Sequence, residues 1–477
     1  MDNKYDVIVI GAGMSGMAAG IRLSMYGKKV CILEKHIISG GLNSYYTRAK
    51  RDFDVGLHAM TNFVKKGTKR KPLTKLLKQL RIPYDELMLK EQVGSLISFP
   101  EKQLRFNNDF ELLRTEIAEN FPHEIDGFNK FVSHIENFNE VSLDNKTYMA
   151  KDVARTFIKD EYLLEMIFCP LLIYGSAWEN DMDFSQFVIM FKSIYLEGFC
   201  RPQGGVRTVI NLLLKKLEDT GCELKFRSEV KKIIKKDNKV VGVMLKKGEV
   251  LYADKIISSM GHPETISKVC EESELEEISS ELSIKNPSIE IGPLSFCESI
   301  VCLKNKPKDY GINETIVFYN NSDVYHYQKP KNLYDNRSAV LCFPNNFNDD
   351  DIHEGMARVT FMANYGLWKE MDKPLYRQKK ELVLQDSLNI IKSLYPKFDQ
   401  EVSFSDVFTP TTIQKYTGHF DGTVYGSTDK LRNGKTPIKG LFLCGTDQGF
   451  LGIVGSMLSG ISMANLYGLM DSEVGVN

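Results

Sequence analysis

Apolar positions along this chain fall into three rhythms. Asp6-Val7-Ile8-Val9-Ile10, Lys29-Val30-Cys31-Ile32-Leu33 and Gly440-Leu441-Phe442-Leu443-Cys444 are short, nearly unbroken apolar runs. Runs of that length predict strands buried on both faces, as in a parallel sheet. The small residues Ala18, Ala19 and Gly20 follow the first run, and the pattern there predicts a helix. Alternating runs at Val230–Ile234, Lys239–Leu245 and Val250–Ala253, with a Lys247-Gly248 turn, predict a β-meander. Leu73, Leu76, Leu77 and Leu80 recur at helical spacing, so the stretch 63–199, punctuated by Pro83, Pro100 and Pro122, reads as helical. Tyr162 to Tyr174 and Phe184 to Phe191 are strongly apolar, either a helical core or the wall of a channel for hydrocarbon. Ser299–Leu303, Glu314–Tyr319, Ala339–Phe343 and Arg358–Ala363 read as strands, and Leu375–Leu394 as a helix.

The first strand runs into Gly11-Ala12-Gly13-Met14-Ser15-Gly16, and the second ends at Glu34-Lys35. A glycine fingerprint between strand and helix, with an acid about 20 residues on, is the dinucleotide-binding arrangement. Gly11 permits the tight turn, Gly13 lets a pyrophosphate approach the backbone, and Gly16 lets the helix pack close to the sheet. The helix start offers free N–H groups and partial positive charge to phosphates. Glu34 is placed to accept from ribose hydroxyls and would repel a 2′-phosphate. Glycines continue past the acid at Gly40, Gly41 and Gly56, in Gly40-Gly41-Leu42 and Asp54-Val55-Gly56-Leu57-His58. They suit close approach to a long, extended ligand.

On these residues the chain resembles FAD-binding flavoproteins of the glutathione-reductase type, and among them the phytoene desaturase, carotenoid isomerase and retinol saturase family. The resemblance covers three blocks and implies FAD. It places Val230 against the adenine, and Gly445 and Asp447 at the ribityl and phosphate region. The helix start Gly452-Ile453-Val454 would face the pyrimidine end of the flavin. Gly56-Leu57-His58 would pass close to the ring, where the imidazole can tune it or move a proton. Tyr416 and Tyr425, in a segment that resembles the same subgroup, would line the cavity over the flavin. Leu42 stands where many relatives carry Arg, so that phosphate contact is not carried over. The resemblance implies an oxidoreductase that desaturates, saturates or isomerises an apolar polyene or isoprenoid by hydride exchange with the flavin. Two alternatives share the scaffold: an amine or amino-acid oxidase, and a prenyl-binding escort protein without flavin chemistry. No second glycine fingerprint follows a strand, so the electron partner is expected to be a quinone, oxygen or another diffusible carrier.

Bulk properties narrow the remainder. At 477 residues, two domains are the natural division. The fold class expected is α/β: a discontinuous Rossmann-like FAD domain of parallel sheet plus meander from 1–62, 200–262 and 405–477. A substrate domain of mixed sheet and helices would come from 63–199 and 263–404. With 61 Lys+Arg against 62 Asp+Glu, nothing points to nucleic acid. The nine cysteines lack ligand spacing, which argues for no metal site, no disulfide framework and a reducing, cytoplasmic setting. Four residues precede Tyr5, so no signal peptide is expected, and no apolar run reaches bilayer length. Lys65, Lys66, Lys69, Arg70 and Lys71 before the Leu73 helix suggest peripheral docking on anionic lipid.

Overall fold

Five parallel strands gather from three distant parts of the chain. In the computed structural model, which describes residues 3–56, 58–274, 289–347, 352–399 and 401–470, they lie in the order Glu223–Lys225, Val30–Leu33, Val7–Ile10, Ile256–Ser258 and Leu441–Leu443. Val7–Ile10, Val30–Leu33 and Leu441–Leu443 are buried throughout, which is why they read as continuous apolar runs. Each large side chain buried there contributes about 1.5–3 kcal/mol. A meander of Val230–Lys236, Lys239–Leu245 and Val250–Ala253 packs beside this sheet. Asp237 and Asn238, both at positive φ, form the two-residue hairpin turn between its first strands.

The helix Met14–Ser24 follows the fingerprint, and the helix Gly452–Met463 packs against it. Small residues set their approach: a Cβ on Gly460 would stand 2.0 Å from the Ser15 carbonyl oxygen, and one on Gly16 equally close to that of Gly11.

A seven-stranded sheet forms the second layer, in the order Val402–Phe408, Ser295–Leu303, Gly355–Ala363, Ser338–Cys342, Ile316–Asn320, Ser95–Ser98 and Gln103–Phe106. It is antiparallel except where Ile316–Asn320 meets Ser95–Ser98. Its Val301, Leu341, Val359 and Phe361 face packs on the helix Lys373–Leu394. Its Phe296, Phe318, Val340 and Met362 face joins the helices Glu161–Gly175 and Phe184–Phe191 in the largest apolar cluster. The apolar stretch Tyr162–Tyr174 is therefore core, and its C-terminal residues Ile173 and Tyr174 also reach a cavity wall.

Two expectations shift. The stretch after residue 63 is not helical throughout: Ser95–Ser98 and Gln103–Phe106 form a hairpin that completes the second sheet. A domain boundary at 405 falls inside the strand Val402–Phe408, so that strand belongs to the substrate-side sheet. All nine cysteines are buried and none forms a disulfide.

Candidate functional site

At the fingerprint, the Gly11 N–H donates to the Leu33 carbonyl at 2.8 Å, and Gly11 turns at φ +93°, a left-handed conformation that glycine adopts freely. Gly13 differs: its backbone is extended, and a Cβ there would have nothing within 4 Å. The helix behind it has no side-chain cap and no acid in its first turn, where Met14, Ser15 and Gly16 lie. Its leading N–H groups lack intrahelical acceptors. Gly40 pairs with Gly13 across a parallel bridge, and a Cβ on Gly41 would lie 3.4 Å from the Gly13 Cα. Glu34 is 8 % exposed; one carboxylate oxygen accepts from the Ala12 N–H and the other from the His36 N–H, both at 2.8 Å. Each oxygen keeps a second lone pair. Lys35 donates to the Lys415 carbonyl at 3.4 Å, and burial lowers the pKa of its ammonium. An open glycine floor, an uncapped helix start and a fixed carboxylate fit the adenosine and pyrophosphate of a dinucleotide.

A chamber of about 640 Å³ lies between the two sheets. From the nucleotide side its wall includes Leu42, Gly56, Thr446, Gly452, Ile453 and Val454. Gly56 is required there, because a Cβ would stand 2.3 Å from the Leu42 carbonyl oxygen and its φ is +66°. The helix beginning at Gly452 is also uncapped and free of acid in its first turn, so it presents positive partial charge to the chamber. From the substrate side come Phe296, Val340, Ile173, Tyr174, Val424 and Tyr425. Tyr425 donates its hydroxyl to the Ile173 carbonyl, and burial raises its pKa. His58 lines the chamber beside Glu298 and Thr360. Leu57 lies outside the described residues.

Other expected residues stand elsewhere. Tyr416 is half exposed and sets its ring edge against His36 at 5.4 Å. Its helix, Pro410–Thr417, leans on the Lys35 segment, and only Ile413 of that helix reaches the chamber. This corrects the expectation that Tyr416 lines the cavity. Val230 is buried in the meander, its carbonyl accepting from Lys268 at 2.8 Å. Gly445 turns at φ +88° and donates to Ser459 Oγ at 2.7 Å. Asp447 is 2 % exposed and already has three partners: the His262 N–H at 2.6 Å, the Ser427 N–H at 2.9 Å and the Lys430 ammonium at 3.1 Å. In this arrangement it braces three segments around the turn.

Reading the sequence did not single out Glu298, Thr360, Arg358 or Tyr174. Asp54, inside the quoted motif, also gains a role: it accepts from Arg201 at 2.5 Å and from the Val206 N–H at 3.0 Å, tying the motif to the helix Val206–Asp219. The available signal was a charged residue in an otherwise apolar strand, Glu298 in Ser295–Leu303 and Arg358 in Gly355–Ala363.

Comparison with known proteins gives consistent findings. Residues 14–466 match the model of the flavin containing amine oxidoreductases. The chloroplastic prolycopene isomerase of Daucus carota is 28 % identical over 462 residues, covering 89 % of this chain and 72 % of that protein. The all-trans-retinol 13,14-reductase of Danio rerio is 22 % identical over 97 % of this chain and 85 % of its own length. Among solved structures, an oxidoreductase from Methanosarcina mazei superposes with a TM-score of 0.66 at 16 % identity, over 97 % of this chain and all of that one (100 %). That last likeness concerns the fold.

Proposed function

Because the chain belongs to the flavin containing amine oxidoreductase family and takes FAD as its cofactor, we propose that it acts on carbon–carbon bonds of a polyene or isoprenoid. The observation that carries this reading is the chamber wall. Leu42, Gly56 and the Gly452 helix start meet apolar side chains of a separate sheet around one cavity. When bound, FAD supplies hydride exchange. The protein's own part is then to hold a hydrocarbon, exclude water and handle one proton. The relatives named for prolycopene and all-trans-retinol support a polyene as the substrate class. Anaerobic mixing of the protein, oxidised or reduced with dithionite, with prolycopene in liposomes, followed by chromatography of the pigment, tests it, beside an aerobic assay with an amine. Isomerised, saturated or desaturated product is expected. Peroxide release with an amine and no change in the polyene would replace this reading by the amine-oxidase one.

His58 is the side chain to which we assign proton handling. His58→Ala is expected to retain FAD while turnover falls by about 10²-fold, the lower end for general acid–base catalysis. Unchanged turnover would make His58 a structural residue only.

We also propose that the chamber opens onto a lipid surface. Arg70, Lys71, Lys75 and Val141 line one end of it and are exposed. The helix Pro72–Leu80 is not the inserting element, because Leu73, Leu76, Leu77 and Leu80 are all core residues. The segment before the helix Ala150–Arg155 exposes the apolar side chains Val141, Leu143, Tyr148 and Met149. Among the described residues no helix is long and apolar enough to cross a membrane. Sedimentation with phosphatidylcholine vesicles is expected to rise when phosphatidylglycerol is added and to fall with salt, each basic residue contributing about 1 kcal/mol near the surface. Val141→Asp with Leu143→Asp should abolish it; sedimentation that ignores both would remove the docking proposal.

A further inference from the structure

The sheet face that meets the chamber carries a buried charged pair among apolar side chains. Phe296, Val340 and Met362 are buried hydrophobics on it, and Glu298, Arg358 and Thr360 stand among them, also buried. Antiparallel pairing sets Glu298 directly opposite Thr360, with Arg358 opposite Ile300, so the three polar side chains share one patch. Glu298 and Thr360 line the chamber next to His58. Arg358 Nε donates to Glu298 Oε1, and the two form an ion pair with 2 % and 3 % of their side chains exposed. Burial works against charge on Glu298, yet the Arg358 guanidinium and the His58 ring outweigh it and bring the carboxyl down to about 2. Taking both ions out of water costs several kcal/mol each, and hydrocarbon would fill the same space more cheaply. The pair is therefore poorly explained as packing.

An explanation lies at His58. Its Nε2 is 3.0 Å from Thr360 Oγ1 and 3.5 Å from Glu298 Oε1. The Thr360 hydroxyl can donate to Nε2 or accept from it, but an ionised carboxylate only accepts, so the carboxylate 3.5 Å away favours hydrogen on Nε2 in the neutral ring. Nδ1 has no hydrogen-bond partner among the described residues.

We propose that Glu298 is a positioning residue that fixes the tautomer of His58, holding Nε2–H and leaving Nδ1 as the atom that takes or returns the substrate proton. Arg358 serves as the counter-ion of Glu298, and Thr360 steadies the ring. The inference rests on the reading of His58 as the acid–base group. In the desaturating direction the substrate gives up a hydride, the cofactor's share, and a proton. That proton bonds to Nδ1 as its former C–H electron pair becomes the new C=C bond. The resulting imidazolium faces a carboxylate, so charge is separated nowhere in the apolar chamber without a neighbour. Saturation returns the same proton from Nδ1 to carbon.

The test uses holoenzyme labelled with 15N at histidine, with the His58 signals identified by their loss in His58→Gln. At a pH where the ring is neutral, Nε2 should be protonated and Nδ1 bare. Hydrogen on Nδ1, or an equal mixture, overturns the proposal without need of any Glu298 variant. In Glu298→Gln the tautomers should mix, and turnover of prolycopene should fall by about 10- to 100-fold, part of the 10²–10⁴ that acid–base catalysis supplies. KM and FAD content should hold, and Glu298→Asp should recover part of the loss. Turnover within about twofold of wild type in Glu298→Gln, alongside a slow His58→Ala, defeats the positioning role alone. An unaffected His58→Ala defeats the acid–base reading and this inference with it.

Discussion

Arg358→Met is expected to destabilise the folded protein by about 3–5 kcal/mol, the range for stranding one partner of a buried ion pair. Arg358 and Glu298 are each only 2 % exposed, so the carboxylate left behind must either remain charged in a largely apolar wall or take up a proton. The pH dependence separates this cause from loss of packing. Glu298 has a folded pKa of about 2, against about 4.3 in an unfolded chain. A depressed carboxyl contributes stability that is present above its unfolded value and is lost as pH falls toward the folded one. In the wild type this amounts to about 3 kcal/mol, released between roughly pH 4.5 and 2. In Arg358→Met most of the contribution is gone, because burial, which raises the carboxyl, is then opposed by His58 without the guanidinium. The gap between the two proteins in urea unfolding should therefore be widest near neutral pH and narrow as the pH is lowered through 4. Glu298→Gln combined with Arg358→Met should recover much of the loss, since no charge is then stranded. A gap that is the same at every pH would show that Arg358 matters only for its volume.

Gly13→Val and Gly16→Val should fail in opposite ways. At Gly13 the backbone is extended and open space surrounds the position, so valine is tolerated by the fold. Its methyl groups would occupy the space next to the uncapped helix start. The expected product is a folded, colourless protein whose retention of FAD is weaker by about 100-fold or more, roughly 3 kcal/mol. At Gly16 a Cβ would lie 2.0 Å from the Gly11 carbonyl oxygen. That atom is backbone at the end of a central strand and cannot yield, so overpacking of about 3 kcal/mol or more should prevent a stable fold. Circular dichroism and flavin absorbance read the two outcomes independently. A yellow Gly13→Val protein would show that the open space is not where the cofactor lies.

The nucleotide half was legible because its rules are local. A parallel strand buried on both faces must be apolar throughout, a turn at positive φ favours glycine, and the acid follows at a fixed interval. All of this sits within Val7 to Glu34. The meander announced itself by alternation for the same reason. The second sheet was seen only as separate strands: Ser95–Ser98 and Gln103–Phe106 sit far from the others in sequence, and only parallel pairing with Ile316–Asn320 enrols them. Tyr416 was misplaced because a segment's family likeness says nothing about which side of its helix meets the cavity.

By itself the amino-acid order determined that this chain builds a dinucleotide cradle, since propensity, glycine geometry and burial pattern act between near neighbours. Only the tertiary structure decided what surrounds the reacting position. Strand register puts Glu298 across from Thr360, and the packing of two sheets brings that pair to His58. Contacts between residues hundreds of positions apart leave no periodic trace along the chain, so His58 could be singled out from its motif, but its partners Glu298, Thr360 and Arg358 became visible only when the layers closed on one another.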